Sequence, residues 1–331
     1  MNGLSRARKL ALVGLLCLCA AGCATPPQSA SLLRQAPEQL GEAVTIAEVP
    51  FFPQDQYQCG PAALATVLVA SGVDVTPEAL VPLVYVPERK GSFQVELVAA
   101  ARSHGRVAYT LPPTLDALLA EVRNGTPVLV LQNLGLASMP KWHYAVVKGY
   151  DLERRKLLLN SGVHEDYEVS LGTFERTWAR AEHWGLAVVA PGEVPVSAEA
   201  LPYFNAVVAL ELGGHTELAR SAYKAGLARW PDDRNLLMAY GNLLYGAGEL
   251  NAAAASFRAV TKYHPAYAPA HNNLAQLLFE LGQLDHALAA AKTAVALGGD
   301  YSATYQETIQ LIAAAASSTV LETDSPLPSS D

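Results

Sequence analysis

The chain contains few of the features that build metal, phosphate or nucleic-acid sites. Of its 331 residues 4 are cysteine, and neither the His, Cys and Asp spacing of a zinc site nor a glycine-rich phosphate loop is present. Lysine and arginine number 23 against 31 acidic residues, which gives a formal net charge of −8. An acidic chain is a poor match for nucleic acid. The sequence therefore predicts no cofactor and no nucleic-acid partner.

An apolar run long enough to span a bilayer comfortably is also lacking. Residues 10–21 form a short apolar run behind a positively charged start, which is typical of a secretion signal over residues 1–23. This segment ends in Ala-Ala-Gly-Cys at positions 20–23 and resembles the lipobox of bacterial lipoproteins. The resemblance implies lipidation of Cys23, and cleavage by the ordinary signal peptidase after Gly22 or Ala24 is the alternative.

The residue after the lipobox bears on the destination of the exported chain. Ala24 is not the aspartate that retains such lipoproteins at the inner membrane. The resemblance therefore implies an outer-membrane lipoprotein that faces the periplasm and contacts the membrane through its lipid anchor. Residues 24–43 contain proline and serine and are predicted to be a tether.

Cys59 is the one cysteine outside the predicted signal. In an oxidising compartment an unpaired thiol forms no disulfide, and four metal ligands are not at hand, so a reactive nucleophile is the leading interpretation. Cys59 also opens an apolar helical run that extends to about residue 70. The N-terminus of a helix lowers the pKa of a thiol. The alternative is a small, buried, apolar residue.

Residues 44–192 alternate between helical and strand-like patterns that indicate an α+β domain. Helices are predicted to begin at Cys59, Thr76 and Ser92, and another is predicted from residue 114 to 123. Strand-like runs cover residues 107–111, 127–131, 143–150, 156–159 and 186–190. This order favours a helical nucleophile region followed by a mostly antiparallel sheet.

Two polar residues at the ends of predicted strands supply the chemistry that a cysteine nucleophile needs. His143 begins one strand, and Asn160 ends the next. If these strands pair antiparallel, Asn160 lies beside His143, where its amide oxygen would hold one ring nitrogen and leave the other facing Cys59. Asp151 is the alternative orienting residue, although it also fits a turn.

The residues around the predicted nucleophile resemble the bacteriocin-processing, double-glycine-leader branch of the papain-like cysteine peptidases. The likeness covers residues 44–192 and is carried by Gln54, Cys59-Gly60-Pro61, His143-Tyr144 and Gly149-Tyr150-Asp151. It implies a papain-like α+β fold and catalysis by glutamine, cysteine, histidine and aspartate.

This chain departs from the family in the orienting residue. Asn160-Ser161 stands where the family has an Asp-Pro pair, so the role passes to Asn160, as in the Cys, His and Asn arrangement of papain. Gln54 is the predicted side-chain donor of the oxyanion hole, with Gln56 and Gln58 as alternatives.

These residues together predict a cysteine peptidase that acts on an exported peptide or protein. Cys59 would attack the carbonyl as a thiolate, its N–H and Gln54 would stabilise the oxyanion, and His143 would protonate the leaving amine. The same thioester would form in a cell-wall or thiol-peptide amidase or acyltransferase, which is one alternative, and a non-catalytic lipoprotein adaptor is another. The family's transporter-linked members are cytoplasmic, so cleavage after double glycine does not carry over.

The second half of the chain repeats with a period of 34 residues. Three residue sets are in register: Gly214, Gly248 and Gly282; Ala219, Ala253 and Ala287; Leu210, Leu244 and Leu278. The spacing resembles the tetratricopeptide repeat, in which small residues let antiparallel helices approach closely. After a linker at 193–199, repeats are predicted from about residues 200, 234 and 268, with a capping helix over 302–315, so that 200–315 forms an all-α solenoid.

Such a solenoid predicts a groove for a protein partner. Asn242, His271, Asn272 and Asn273 are the predicted lining residues, and a structural role in dimerising or stiffening the protein is the alternative. Residues 316–331 are rich in serine, proline and acidic residues and are predicted to be disordered.

Overall fold

The chain divides into two units in this computed structural model, which describes residues 26–53 and 58–323, with side chains as far as residue 317. The first unit runs to residue 190 and includes 195–198, and the second comprises 191–194 and the chain from 199 onward. The predicted signal peptide with Cys23, as well as Gln54 and Gln56, lies outside the described residues. None of the described helices is long and apolar enough to cross a membrane.

The first unit is built on a seven-stranded sheet. Its strands are β1 Ala43–Thr45, β2 Val107–Thr110, β3 Val128–Asn133, β4 Trp142–Asp151, β5 Lys156–Ser161, β6 His164–Ser170 and β7 Gly185–Val189. The order is β2-β7-β3-β4-β5-β6, β1 pairs with β4, and every pair is antiparallel. The predicted antiparallel sheet is therefore confirmed.

Helices pack on this sheet and bury its central strands. Those of the described residues are α1 Pro27–Arg34, α2 Cys59–Ala70, α3 Pro77–Val84, α4 Gln94–Ser103, α5 Leu115–Arg123 and α6 Leu171–Ala179. α2 contacts β3, β4 and β7, whereas α5 and α6 both contact β3 and are joined by α1. Every residue of β3 is buried, which explains the apolar run of its first four residues.

The helix that begins at Cys59 is buried over most of its length. Residues 60–68 are all buried, because the helix is apolar around its whole circumference rather than on one stripe. Leu64 and Leu68 share one core cluster with Leu129, Val146 and Leu186 of the sheet. The predicted helix start is confirmed, and this packing fixes the position of the first turn.

Two consecutive elements after β5 have no counterpart in the sequence prediction. β6 is a charged strand at the edge of the sheet, and almost all of its residues are exposed. An edge strand without a buried face lacks the alternation of apolar and polar residues that identifies a strand. α6 follows it directly, capped by the Ser170 side chain, which accepts a hydrogen bond from the Thr173 N–H.

The predicted tether at 24–43 is ordered where the structure describes it, so that prediction was wrong. Within it lie α1, a 3-10 turn at Glu38–Leu40 and the start of β1. The buried carboxylate of Glu175 accepts hydrogen bonds from the backbone N–H groups of Gln28 at 2.9 Å and Ser29 at 2.6 Å. An acceptor 146 residues away in sequence thus binds N–H groups of the first turn of α1. The local composition around α1 does not reveal this acceptor.

The second unit consists of antiparallel helix pairs. Its helices are α7 Ala200–Leu212, α8 Thr216–Arg229, α9 Arg234–Gly246, α10 Leu250–Tyr263, α11 Ala268–Glu280, α12 Leu284–Leu297 and α13 Ser302–Thr323. The first helix of each pair and the final helix begin at the predicted positions. The 34-residue period is confirmed. The predicted disordered tail at 316–331 was wrong at its start, because α13 continues to Thr323.

The predicted groove residues of the repeats differ in accessibility. Asn242 is exposed and Asn273 half-buried. His271 places Nε2 2.9 Å from the carbonyl oxygen of Pro265. Asn272 is only 5% exposed, so its side chain belongs to the packing of the repeats rather than to a binding surface.

The approach of α9 to α10 predicts a strong preference for glycine at one position. A Cβ at Gly241 would lie 2.7 Å from the ring of Phe257, whereas a Cβ at Gly246 of the same helix meets nothing within 4 Å. We expect Gly241→Ala to lower stability by about 1–2 kcal/mol, because overpacking outweighs the gain in helix propensity. Thermal unfolding should show a lower midpoint for Gly241→Ala and an unchanged or higher one for Gly246→Ala; equal shifts would contradict this packing.

Candidate active site

Cys59 lies on the wall of a cleft in the first unit. This cleft has a volume of about 1220 Å³, and its lining includes Cys59, His143, Tyr144, Trp142 and Trp184. Cys59 is the first residue of α2, is half-buried and forms no disulfide. The chain thus presents a free thiol at the N-terminus of a buried helix, where backbone N–H groups and the helix dipole favour negative charge.

The residue after the thiol is packed too tightly for any side chain. A Cβ at Gly60 would lie 2.3 Å from Oγ and 2.6 Å from Cβ of Ser92. The hydroxyl of Tyr144 donates a hydrogen bond to the carbonyl oxygen of Ser92 at 3.1 Å. The glycine of the Cys-Gly-Pro motif therefore lets the segment before α4 approach the thiol, and Tyr144 ties that segment to β4.

The pKa of the Cys59 thiol is raised, whereas the sequence analysis predicted a lowered pKa. Burial raises the pKa above its ordinary value, and hydrogen bonds from the backbone N–H groups of Tyr144, Gly60 and Cys59 itself lower it by less. The predicted thiolate at neutral pH was therefore wrong for this state of the cleft. The helix N-terminus acts in the predicted direction, but desolvation of the charged sulfur is the larger effect.

His143 begins β4 and reaches into the same cleft. Its Nε2 lies 2.9 Å from Oγ of Ser161. Burial, with a smaller contribution from the charge of Lys141, lowers the pKa of His143 to about 4. The imidazole is therefore neutral at pH 7, where one ring nitrogen can accept a proton.

Asn160 was predicted to contact His143, but it does not. The strand register places the two side chains on different faces of the sheet. Asn160 pairs with Val146, whose side chain packs in the core that contains α2. Since His143 lies an odd number of positions from Val146, its ring leaves the opposite face. Asn160 Nδ2 instead donates to the carbonyl oxygen of Pro50 at 3.1 Å. Its Oδ1 is buried without a hydrogen-bond partner among the described residues.

The alternative site residues are also located by the structure where it describes them. Asp151 accepts a hydrogen bond from the Arg154 N–H at 2.7 Å, so it closes the turn after β4. Gln58 is exposed and precedes α2, and its side chain does not cap the helix. Gln54 lies outside the described residues, so its role as oxyanion donor stays a prediction.

Family models match both parts of the chain. Residues 46–185 match the model of the Peptidase_C39 like family. Residues 205–259 and 241–302 match the tetratricopeptide repeat model. The chain carries a Peptidase_C39-like domain and tetratricopeptide repeats. No curated protein matches the chain.

Several solved structures are similar to part of the chain. A Bacillus anthracis protein described as a C39-like peptidase is 19% identical with a TM-score of 0.39, over 45% of this chain and 98% of its own. The tetratricopeptide domain of Sgt2 from Aspergillus fumigatus is 15% identical with a TM-score of 0.35, over 40% of this chain and 88% of its own. The type III secretion translocator chaperone SycD of Yersinia enterocolitica is 15% identical with a TM-score of 0.33, over 35% and 83%.

The cleft of the C39-like domain contains a second histidine. His183 lines the cleft in a left-handed turn, with φ of 55°. Its ring packs edge-on against Trp178, and Nε2 is buried without a hydrogen-bond partner in the described part of the chain. No signal in the sequence distinguishes this histidine, because its position depends on the turn after α6. Among the described residues no group of three His, Cys, Asp or Glu side chains could hold a metal ion.

The raised pKa of Cys59 predicts slow alkylation of the C39-like domain at neutral pH. A higher pKa lowers the thiolate fraction at any pH below it, so iodoacetamide should react more slowly at pH 7 than with an unstructured cysteine peptide. The alkylation rate of Cys59 should still increase with pH under conditions in which the alkylation rate of the peptide has become constant. Mass spectrometry of the intact chain after timed labelling measures both rates. Rapid labelling at pH 6 would contradict the neutral thiol.

Proposed function

We propose that the C39-like domain is a cysteine peptidase that hydrolyses peptide bonds of an exported peptide or protein. The observation that carries this proposal is the free thiol of Cys59 at the N-terminus of buried α2, in one cleft with the imidazole of His143. Nucleophilic catalysis by cysteine needs a thiol that is accessible, a base that can accept its proton and N–H groups for developing negative charge.

The proposed reaction uses Cys59 and His143, which line this cleft, together with donors for the oxyanion. The thiol proton of Cys59 passes to His143 as Sγ bonds to the scissile carbonyl carbon, and the carbonyl electron pair moves to oxygen. Backbone N–H groups at the start of α2, with Gln54, stabilise the oxyanion. His143 then gives its proton to the leaving nitrogen as the C–N bond breaks. A water molecule, deprotonated by His143, hydrolyses the thioester and releases Cys59.

The proposed proton transfer begins from two neutral groups. Burial keeps Cys59 as a thiol and His143 as a free base, so general-base catalysis replaces a preformed ion pair. The His143 ring leaves the face of the sheet opposite α2 and is bonded to Ser161, so we propose that the ring turns from Ser161 around the start of β4 to the thiol when a substrate is bound. Catalytic hydrogen bonds are often long in enzymes without substrate and tighten only in the complex.

The remaining parts of the chain are proposed to deliver the substrate and place the enzyme. The tetratricopeptide repeats would bind the substrate protein or a partner, because stacked helix pairs present extended binding surfaces. The signal-like N-terminus supports an outer-membrane lipoprotein that faces the periplasm and is acylated at Cys23.

A peptide-binding domain without turnover is the second candidate function. It is favoured by one observation, namely that Ser161 rather than Asn160 occupies the His143 ring nitrogen while the thiol pKa is raised. In this case the cleft would hold a peptide and the repeats would hold its protein partner. The two candidates differ in whether a covalent thioester forms.

Incubation of the full chain with a diverse peptide library, read by mass spectrometry, tests the proposed function. A peptidase yields new N-termini, and added hydroxylamine should convert part of the acyl product to hydroxamate through the thioester. Products joined to an added amine in place of hydrolysis would identify an acyltransferase. An uncut library that still binds to the chain would identify the binding domain instead.

A further inference from the structure

The cleft of the C39-like domain is lined by a charge opposite to that of the whole chain. Arg89, Lys90, Lys141 and Arg180 contribute cationic side chains to the lining, and Glu182 is the one carboxylate among its described residues. The chain as a whole carries 23 cationic and 31 acidic residues. A cleft lined mainly by one sign of charge concentrates ligands of the other sign, so this distribution indicates an anionic ligand.

Lys141 is the cation closest in sequence to the candidate general base. It lies two positions before His143 and is exposed, and none of the ion pairs of the described residues involves it. Its charge reaches His143, because it contributes to the lowered pKa of the imidazole. A carboxylate that paired with Lys141 would therefore stand next to the reacting groups.

Two further cations of the cleft are held by local contacts that leave their charge uncancelled. Arg180 Nη1 donates to the carbonyl oxygens of Asn133 at 3.1 Å and Gly135 at 2.8 Å. Arg89 places its guanidinium 5.5 Å from the ring centre of Phe93. Carbonyl oxygens and an aromatic ring orient a guanidinium without neutralising it, so both groups keep the cleft positive.

Exposed aromatic residues lie between these charges. Phe93 is 41% exposed and Trp142 is 52% exposed, and both line the cleft. Aromatic faces in a cleft provide apolar contact for bulky side chains of an extended peptide. The lining thus combines positive charge with apolar surface, which excludes a strongly basic peptide and suits an acidic one with apolar residues.

We propose that the cleft selects acidic peptide segments, with a substrate carboxylate paired to Lys141 next to the scissile bond. The assignment of a scissile bond rests on the proposed peptidase function, whereas the preference for an acidic peptide requires only binding. Segments with glutamate or aspartate beside an apolar residue are the substrate class, and basic segments are rejected by Lys141, Arg89 and Arg180.

Charge pairing at Lys141 would also affect the chemical step. Lys141 lowers the proton affinity of His143, and a substrate carboxylate beside it cancels that influence. His143 then accepts the thiol proton of Cys59 more readily, because like charge no longer opposes the imidazolium. An acidic substrate therefore gains in turnover as well as in binding.

Binding to the full chain with Cys59→Ala tests the charge preference independently of catalysis. The probes are three mixed decapeptide libraries with a zwitterionic rhodamine label, alike except that alternate positions are fixed as Glu, Gln or Lys. Fluorescence anisotropy at low salt should give a Kd roughly tenfold lower for the Glu library than for the Lys library, as expected for two or three exposed ion pairs. The difference should shrink near 1 M salt, where the Debye length is only about 3 Å.

Lys141→Gln in the same background should remove a large part of the preference. Lys156→Gln is the matched control, because Lys156 is a partly exposed lysine of the same domain that pairs with Glu168 outside the cleft lining. An equal effect of the two substitutions, or a Glu library that binds no better than the Lys library, would overturn the inference.

Cleavage by the unsubstituted chain separates this inference from the proposed function. If Glu peptides bind best but are never cut, the acidic preference is supported and the proposed peptidase function is contradicted. If kcat/KM is equal for Glu, Gln and Lys peptides, the peptidase function is supported and the acidic preference is contradicted. Preferential cleavage of Glu peptides, lost in Lys141→Gln, supports both.

Discussion

Cys59→Ala is expected to abolish peptide cleavage, with a loss in kcat on the order of 10⁴-fold or more because the acyl intermediate cannot form. The substitution removes one sulfur atom from a half-buried position, so the fold should be retained. Initial rates on the best peptide of the library measure the loss, and the thermal midpoint of the variant is the control for folding. Cleavage that persists in a folded Cys59→Ala variant would show that the thiol is not the nucleophile.

His143→Ala is expected to lower kcat/KM about 10²–10⁴-fold, because a general base and acid is lost from both halves of the reaction. Two neighbouring substitutions identify what positions the ring. Ser161→Ala removes the hydrogen bond at 2.9 Å that holds Nε2 in this structure, and Asn160→Ala removes a side chain that is bonded to Pro50. If the ring turns to Cys59 in the complex, Ser161→Ala should change the rate less than His143→Ala.

The pH dependence of kcat/KM gives a readout that a merely structural role of His143 would not change. With a pKa of about 4, the free imidazole is available from pH 7 down to about pH 4, and protonation removes the base below that. The acid limb should therefore lie near pH 4 rather than near the ordinary histidine pKa of about 6.5. Ser161→Ala should move this limb if the serine positions the ring, and an acid limb unchanged in His143→Ala would exclude the imidazole as its origin.

The sequence predicted the elements whose signals are local. The run from Cys59 to Ala70 is apolar enough to be a buried helix, and the 34-residue spacing located the repeats at Ala200, Arg234 and Ala268. Helix starts and repeat periods depend on residues close together in the chain. The edge strand β6 and helix α1 were missed, because the first has no buried face and the second is capped by Glu175 from another part of the chain.

Side-chain direction within the candidate site could not be predicted from the sequence. Asn160 was expected beside His143 because their strands were predicted to be neighbours. The two strands, β4 and β5, do pair. The pairing of Asn160 with Val146 shifts it by an odd number of positions, and an odd shift moves a side chain to the other face of a sheet. Register depends on the packing of the whole sheet, so neither residue reveals it.

The sequence by itself determined the nucleophile candidate, the order of the two folded parts and the period of the repeats. Each of these depends on residues that are close together in the chain. Only the tertiary structure decided the ionisation of Cys59 and His143, the partner of the imidazole and the positive lining of the cleft. Burial sets the cost of a charge, and burial is a property of the assembled core. Lys141, Arg89 and Arg180 likewise form one cationic surface only after distant segments have been brought to the same cleft.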